Sequence, residues 1–304
     1  MPASPGPAGS ASDDDNTLVH LLNADLHSHS DVSDGTLSPE ALAARAHGAG
    51  VQLWALTDHD EVGGQARARQ AARDLGLDYL SGVEVSVTFA GETVHIVGLG
   101  VDVDDPDLVA GLKATRDGRL QRAREMGDSL AAAGIPGAFE GALRHVGNPD
   151  LVSRTHFARY LVERGVCAQT HEVFQRFLTP GKPGFVPHRW ARLADAVRWI
   201  LGAGGVAVIA HPARYRLTTN EEWALFLEFK AHGGQAVEVV TGNHTVAEQV
   251  RYADMAVEFG LAGSRGSDFH SPDESRTPLG GLPDLPGHVQ PVWELLAPRI
   301  ARAR

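Results

Sequence analysis

The sequence predicts an α/β fold closed on itself, in which a mainly parallel sheet alternates with helices. Three observations point there. Short apolar runs alternate with helix-like stretches over most of the chain, the signature of parallel strands joined by crossovers. Residues able to bind metal recur at or near the carboxyl ends of those runs, where α/β barrels place their chemistry. Finally, Asp25-Leu26-His27-Ser28-His29 follows the first run, and Ser267-Asp268-Phe269-His270 follows the last. Strand alternation would point His27 and His29 the same way, and likewise Asp268 and His270. Two such pairs so far apart in sequence imply that the first and last strands meet.

The elements follow in order. Leu18 to Leu26 is the first expected strand. Ser38 as N-cap and Pro39 at the first helical position open a helix that ends near Gly48 and Gly50. Val51 to Thr57 is a short buried strand leading to Asp58-His59-Asp60, and a helix runs from Gly64 to Leu75. Strands are expected over Leu77 to Val87, carrying Glu84, and Thr93 to Val101, carrying His95. Leu108 to Ala133 reads as one long charged helix, with further helices at Thr155 to Arg164 and Thr170 to Phe177. No strand pattern occurs there, so 105–187 is expected to be a helical insertion over the barrel mouth. Alternation resumes with helix Leu193 to Gly202, strand Val206 to Ala210 ending in His211-Pro212, and helix Glu221 to His232. Strand Ala236 to Thr241, helix Val246 to Phe259, strand Leu261 to Gly266 and a closing helix at Val292 to Ile300 complete the chain. The barrel is thus expected over 18–104 and 188–304, after a disordered tail at 1–17 that is rich in Pro, Ala, Ser, Gly and Asp.

Bulk properties narrow the function. The 304 residues carry 43% hydrophobic side chains, enough for a sizeable core. A formal charge of −11 argues against a protein that coats nucleic acid, so no stable nucleic-acid complex is expected. The one cysteine, Cys167, excludes an internal disulfide framework and reads as inert packing. The N-terminus lacks a signal-peptide pattern and no apolar run approaches a membrane span, so a cytoplasmic protein is expected.

The candidate ligands are His27, His29, Asp34, His59, Glu84, His95, His211, Asp268 and His270. Any one of the histidines alone would read as an ordinary hydrogen-bonded core or surface residue. The recurrence at strand ends in one chain carries the weight. Mixed imidazole and carboxylate ligation suits Zn, Mn or Fe, and the lack of Cys ligands argues against a structural zinc knot.

The order Asp-Leu-His-Ser-His-Ser-Asp-x-Ser-Asp-Gly, Thr-Asp-His-Asp, Ser-Gly-Val-Glu-x-Ser, His-Ile-Val-Gly-Leu-Gly, Ala-His-Pro and Ser-Asp-Phe-His resembles the PHP (polymerase and histidinol phosphatase) family over nearly the whole chain. The Ser-Asp-Gly segment and Arg-Thr-His-Phe-Ala-Arg-Tyr-Leu are similar to the branch containing nucleoside 3',5'-bisphosphate phosphatases and 5'-to-3' exoribonucleases on short RNA. The resemblance implies a distorted (βα)7 barrel holding three divalent metals. His27, His29, Glu84 and Asp268 would bind the first, Glu84, His95 and His211 the second, and Asp34, His59 and His270 the third. A carboxylate at Asp34, where some relatives have His, favours Mn, with Zn, Fe or Mg as alternatives. The three carboxylates give the ligand set a charge of about −3, and three divalent cations would bring it to about +3, which lets an acidic protein attract phosphate.

The expected reaction is attack on phosphorus by a hydroxide derived from a metal-bridging water. The favoured substrate is a small phosphorylated nucleotide, a nucleoside 3',5'-bisphosphate such as 3'-phosphoadenosine 5'-phosphate. Alternatives are 5'-to-3' exonuclease action on short RNA or DNA, histidinol phosphatase, and an inactive metal-binding scaffold. Arg116, Arg119 and Arg122 are expected to clamp a second phosphate, unless they merely decorate a solvated helix. Arg154 is expected on the phosphate under attack, and His156 as a donor to it or to the leaving oxygen. His188 and His244 are candidate substrate contacts, and Asp58 and Asp60 are candidates for orienting ligands. Trp54, Trp190 and Trp199 read as packing residues.

Overall fold

The computed structural model describes residues 21–303. The expected tail and the start of the expected first strand lie outside them. Seven strands follow one another around a sheet in chain order: β1 (Ala24–Asp25), β2 (Leu53–Leu56), β3 (Asp78–Phe89), β4 (Glu92–Leu99), β5 (Val206–Ile209), β6 (Ala236–Thr241) and β7 (Ala262–Gly266). The ends meet as the two ligand pairs require. The Leu26 amide donates to the Arg265 carbonyl at 3.1 Å, and Ser28 bridges Phe269 in parallel. The buried Asp25 carboxylate reinforces the seam, accepting from the Ser267 amide at 2.8 Å and the Gly280 amide at 3.0 Å. Only a glycine fits at position 266, because a Cβ there would lie 2.3 Å from His27 Cβ.

The sheet is not wholly parallel. β4 runs antiparallel to both β3 and β5, whereas the other neighbouring pairs are parallel. Ala90 and Gly91 both have positive φ, 48° and 83°, in the two-residue turn that joins β3 to β4 as a hairpin. No helix separates these strands, and this distorts the barrel. It also sets Glu84, opposite Val97, and His95, opposite Ser86, diagonally across the hairpin, with His95 Nδ1 2.8 Å from Glu84 Oε1.

Helix α1 (Pro39–Gly48) starts as expected, with the Ser38 hydroxyl accepting from the Ala41 amide. Helix α2 (Gln65–Leu75) follows. The expected long helix is two, α3 (Pro106–Arg116) and α4 (Arg119–Ala132), broken where Gly118 takes φ 92°. Leu108 and Leu112 of α3 pack into the main core with the strands. A separate core gathers Ala123, Met126, Leu130, Ala142, Phe157, Leu161 and Leu178, from α4, from α5 (Ala138–Leu143), which was not expected, from α6 (Arg154–Glu163) and from the stretch beyond. A short α7 (Thr170–Val173) runs on into a π-helical turn over Phe174–Leu178. This helical unit is tied back to the barrel by a two-pronged ion pair, with Arg159 Nη2 2.7 Å and Nε 3.0 Å from the Glu274 carboxylate. Helices α8 (Leu193–Gly202), α9 (Thr219–Ala231) and α10 (Val246–Phe259) cover the later strands. The closing helix is short, α11 (Val292–Leu295), followed by a 3-10 turn.

Candidate active site

All nine candidate ligands converge at one end of the barrel. Their ligand atoms lie within 4.8 Å of one another in overlapping groups: His29, Asp34, His59 and His270; His27, Glu84 and His211; His27, His29 and Asp268; and His59, Glu84 and His95. His27 Nε2 and His29 Nε2 lie 3.1 Å apart. Each is 3.4 Å from a Glu84 oxygen, and they are 3.5 and 3.2 Å from Asp268 Oδ1. Ligands about 2.1 Å from a shared cation would stand roughly 3.0–3.4 Å apart, so this spacing is that of a coordination shell. Glu84 Oε1 is also 3.0 Å from His211 Nε2 and 2.8 Å from His95 Nδ1. Asp34 Oδ1 is 3.3 Å from His270 Nε2 and 3.8 Å from His59 Nε2.

Unsatisfied polar atoms decide whether the site suits a cation. Among the described residues, the buried side-chain atoms without a hydrogen-bond partner include Asp34 Oδ1, His59 Nδ1, Glu84 Oε2, His95 Nδ1 and Asp268 Oδ1, all of them candidate ligand atoms that face the cluster. Burying such atoms unpaired costs about 1–3 kcal/mol each, and coordination removes that cost. The donor set therefore fits divalent metal.

Other contacts fix the ligands in place. Glu238 Oε1 accepts from His27 Nδ1 at 2.7 Å, leaving Nε2 for the centre, and Glu238 Oε2 accepts from the His211 amide at 2.6 Å. Asp58 accepts from Ser30 and Ser33 and so holds the loop that carries Asp34. Asp60 accepts from the Ser86 amide and hydroxyl on β3 and pairs with Arg119. Ser153 Oγ donates to Asp34 Oδ2 at 3.2 Å, linking the helical unit to the centre. His211 and Asp268 have φ of 26° and 54°, and Asp60 has 50°. These backbones depart from strand geometry, so simple alternation does not place the ligand side chains. Non-glycine residues in this region are strained and cluster at functional sites.

Charge is balanced within the cluster. Burial would raise Glu84, Asp34 and Asp268, but nearby His and Arg side chains hold all three well below the usual carboxylate range. Burial together with His270 and His59 drives His29 down to about 3, and burial with Arg214 takes His211 to about 4. In His59 burial is outweighed by Glu84 and Asp34, which raise it to about 9.

Beside the centre lies a cleft of about 120 Å³, bordered by Arg119, Arg122, Arg154 and Arg214 together with Asp34, His59, His95 and His270. Two of these arginines have partners. Arg119 pairs with Asp60 and Arg214 Nη1 reaches Asp268 Oδ2 at 2.5 Å. Arg122 Nε donates to the Val186 carbonyl at 2.9 Å and Arg154 Nη1 to the Leu178 carbonyl at 3.4 Å; among the described residues neither has a carboxylate partner. Burial, reinforced by Arg154 and Arg119, lowers Arg122 to about 9.

Four expectations for the substrate contacts change. Arg116 does not border the cleft: it donates to the Asp60 carbonyl and lies 3.3 Å from Glu61 Oε2. His156 is buried, and its Nδ1 accepts from the Ser153 amide at 2.9 Å as half of the capping box of α6, so it does not face the cleft as a proton donor. His188 packs edge-on to Trp190 at 4.3 Å, outside the cleft lining. His244 does not face the substrate: its Nδ1 donates to the Val239 carbonyl at 3.0 Å, its Nε2 accepts from the Ala213 amide at 3.4 Å, and the ring stacks on Tyr252. It braces the turn after His211 instead. Trp190, expected as packing, borders the cleft and carries Arg119 over its ring at 4.4 Å. Arg214 was not anticipated; its only sequence signal is its place three residues after His211.

Residues 25–148 match the PHP domain family model. A 3',5'-nucleoside bisphosphate phosphatase of Chromobacterium violaceum is 51% identical over 93% of this chain and 99% of its own length. The chain belongs to the PHP domain family. A second PHP relative, a 5'-3' exoribonuclease of Haemophilus influenzae, is 43% identical over 89% of this chain and 97% of its own. Among solved structures, one from Chromobacterium violaceum, described as an amidohydrolase with bound sulfate and no metal, superposes with a TM-score of 0.90. It is 51% identical and covers 93% of this chain and 98% of that one. This PHP protein is a hydrolase acting on phosphate esters. Among its described residues no helix is long and apolar enough to cross a membrane.

Proposed function

We propose that the chain removes the 3'-phosphate from nucleoside 3',5'-bisphosphates such as 3'-phosphoadenosine 5'-phosphate, releasing the nucleoside 5'-phosphate and inorganic phosphate. The observation that carries this reading is the pairing of the ligand cluster with two cleft arginines, Arg122 and Arg154, that lack carboxylate partners. A substrate with two phosphates satisfies both, and the Chromobacterium violaceum relative bears the name of that activity.

His27, His29, Glu84 and Asp268 would hold one divalent cation, Glu84, His95 and His211 a second, and Asp34, His59 and His270 a third, with Mn favoured by the carboxylate at Asp34. Such cations, when bound, supply a water nucleophile at neutral pH and neutralise phosphate charge. The chain's own groups do the rest. Arg154 and Arg214 flank the reacting phosphate and stabilise charge on its non-bridging oxygens. Arg122, beside Arg154 and Arg119 in the same cleft, holds the second phosphate through its planar fork. Glu238 keeps the His27 proton on Nδ1, and Asp58 keeps the Asp34 loop closed.

A second reading, 5'-to-3' exonuclease action on short oligonucleotides, is favoured by the shape of the mouth. Two further clefts adjoin the first and share Arg214 and Phe174 with it, so the centre can be approached from more than one side. A phosphate-release panel with Mn, Zn and Mg separates the readings. It compares a 3',5'-bisphosphate, a nucleoside monophosphate, histidinol phosphate and a 5'-phosphorylated oligonucleotide. The bisphosphate should be turned over most efficiently; preference for histidinol phosphate or the monophosphate would overturn the proposal.

A further inference from the structure

We propose that Phe174 is the platform on which the substrate's nucleobase stacks. The inference rests on the nucleotide-phosphatase reading and adds a base subsite to it. Phe174 opens the π-helical turn at 174–178, and its partly buried ring sits at the edge of the helical unit's core. π-turns are rare and recur at functional sites. Its side chain borders all three clefts that adjoin the ligand cluster, a placement it shares with Arg214. The Arg154 guanidinium lies 5.8 Å from the ring centroid, so a phosphate held by Arg154 brings its nucleoside next to this ring.

The other aromatic side chains near the centre are held by more contacts than Phe174, whose ring, among the described residues, carries Arg154 alone. The Trp190 ring carries Arg119 at 4.4 Å and meets His188 edge-on at 4.3 Å, and its indole nitrogen donates to Thr93 at 3.1 Å. The Tyr215 hydroxyl donates to the Ala210 carbonyl at 2.7 Å, and its ring packs edge-on to His211. Base stacking on an aromatic face tolerates every base, so this subsite recognises a nucleobase as a class.

The experiment uses the metal-loaded protein, with Phe174→Leu to remove the π face while keeping an apolar side chain, and Phe174→Trp to restore a face. Calorimetry compares a nucleoside 5'-phosphate with ribose 5-phosphate, and kinetics compares a nucleoside 3',5'-bisphosphate with its base-free counterpart. The wild type should bind the nucleotide more tightly by the roughly 5- to 150-fold that base stacking contributes. Phe174→Leu should abolish that difference, raise KM for the nucleotide and leave the base-free compound within about twofold, whereas Phe174→Trp should retain the preference. Equal binding of the two ligands by the wild type, or equal losses on both compounds in Phe174→Leu, would overturn the platform. Failure of the bisphosphatase reading is distinct: the wild type would then release no phosphate from either bisphosphate.

Discussion

Replacing Arg122 with Gln should separate the second phosphate from the first. Arg122 is buried beside Arg154 and Arg119, and both burial and these like charges disfavour its charged form, lowering it to about 9. At about 1.4 kcal/mol per pH unit this corresponds to an upper bound of roughly 5 kcal/mol, part of which an anion recovers on binding. A charge-assisted hydrogen bond to phosphate contributes about 1.5–3 kcal/mol, so Arg122→Gln should lower kcat/KM for a nucleoside 3',5'-bisphosphate by roughly 10- to 150-fold. A nucleoside monophosphate should lose no more than about threefold, since it leaves this part of the cleft unfilled. The variant's Tm without substrate should be equal to or above that of the wild type, because a repulsive buried charge has gone. Arg116→Ala serves as the contrast. Arg116 anchors to Asp60 and Glu61, so its loss should affect both substrates equally. Steady-state kinetics on the two substrates, with thermal unfolding of each variant, makes the comparison. Equal losses on both substrates in Arg122→Gln would refute the second-phosphate role.

Glu238→Gln removes the carboxylate that orients His27, and metal affinity should fall by about 10- to 100-fold, read by competition with a fluorescent chelator; unchanged affinity would remove Glu238 from the account. His156→Gln preserves the capping geometry of α6 and should keep both Tm and kcat, whereas His156→Ala should cost about 1 kcal/mol of stability with kcat unchanged. A hundredfold loss of kcat in a fully stable His156→Gln would instead restore its role as a proton donor. Metal loading at pH 7 should release protons. In the metal-free protein His59 is raised to about 9, so its stabilising charge is present below its unfolded value of about 6.5 and lost as pH rises through 9. His29 and His211, lowered to about 3 and 4, are already neutral at pH 7 and contribute none. His27 and His270 are raised as well, so calorimetry in buffers of different ionisation enthalpy should show the release at pH 7 and a smaller release as pH rises through about 9; a pH-independent heat of loading would contradict it.

Much of this architecture is written locally. Ser38 with Pro39 marks a helix start that the structure keeps, because capping depends on neighbours in sequence. The convergence of the nine candidate ligands was legible for a different reason: histidines and carboxylates at strand ends are unusual enough to stand out. The antiparallel β4 had a signal that was passed over, since Ala90-Gly91 between two apolar runs is a hairpin turn. The break at Gly118 was hidden by a charge pattern that continues across it. The left-handed backbones of His211 and Asp268 had no sequence signal, because only tertiary closure imposes them. For the same reason the cleft arginines could not be sorted by spacing. Arg116 and Arg119 are three residues apart, yet a helix break lies between them, and Arg214 enters from a different strand end.

The central claim is that the converged ligands hold divalent cations which make the chain a phosphoesterase. Its most direct test strips the purified protein with a chelator, then titrates Mn while following bound metal and phosphate release from a nucleoside 3',5'-bisphosphate together. Activity should be absent from the stripped protein and return as the sites fill, levelling at about three bound cations per chain. Undiminished phosphate release from the stripped protein, or a protein that binds no divalent metal, would contradict the account.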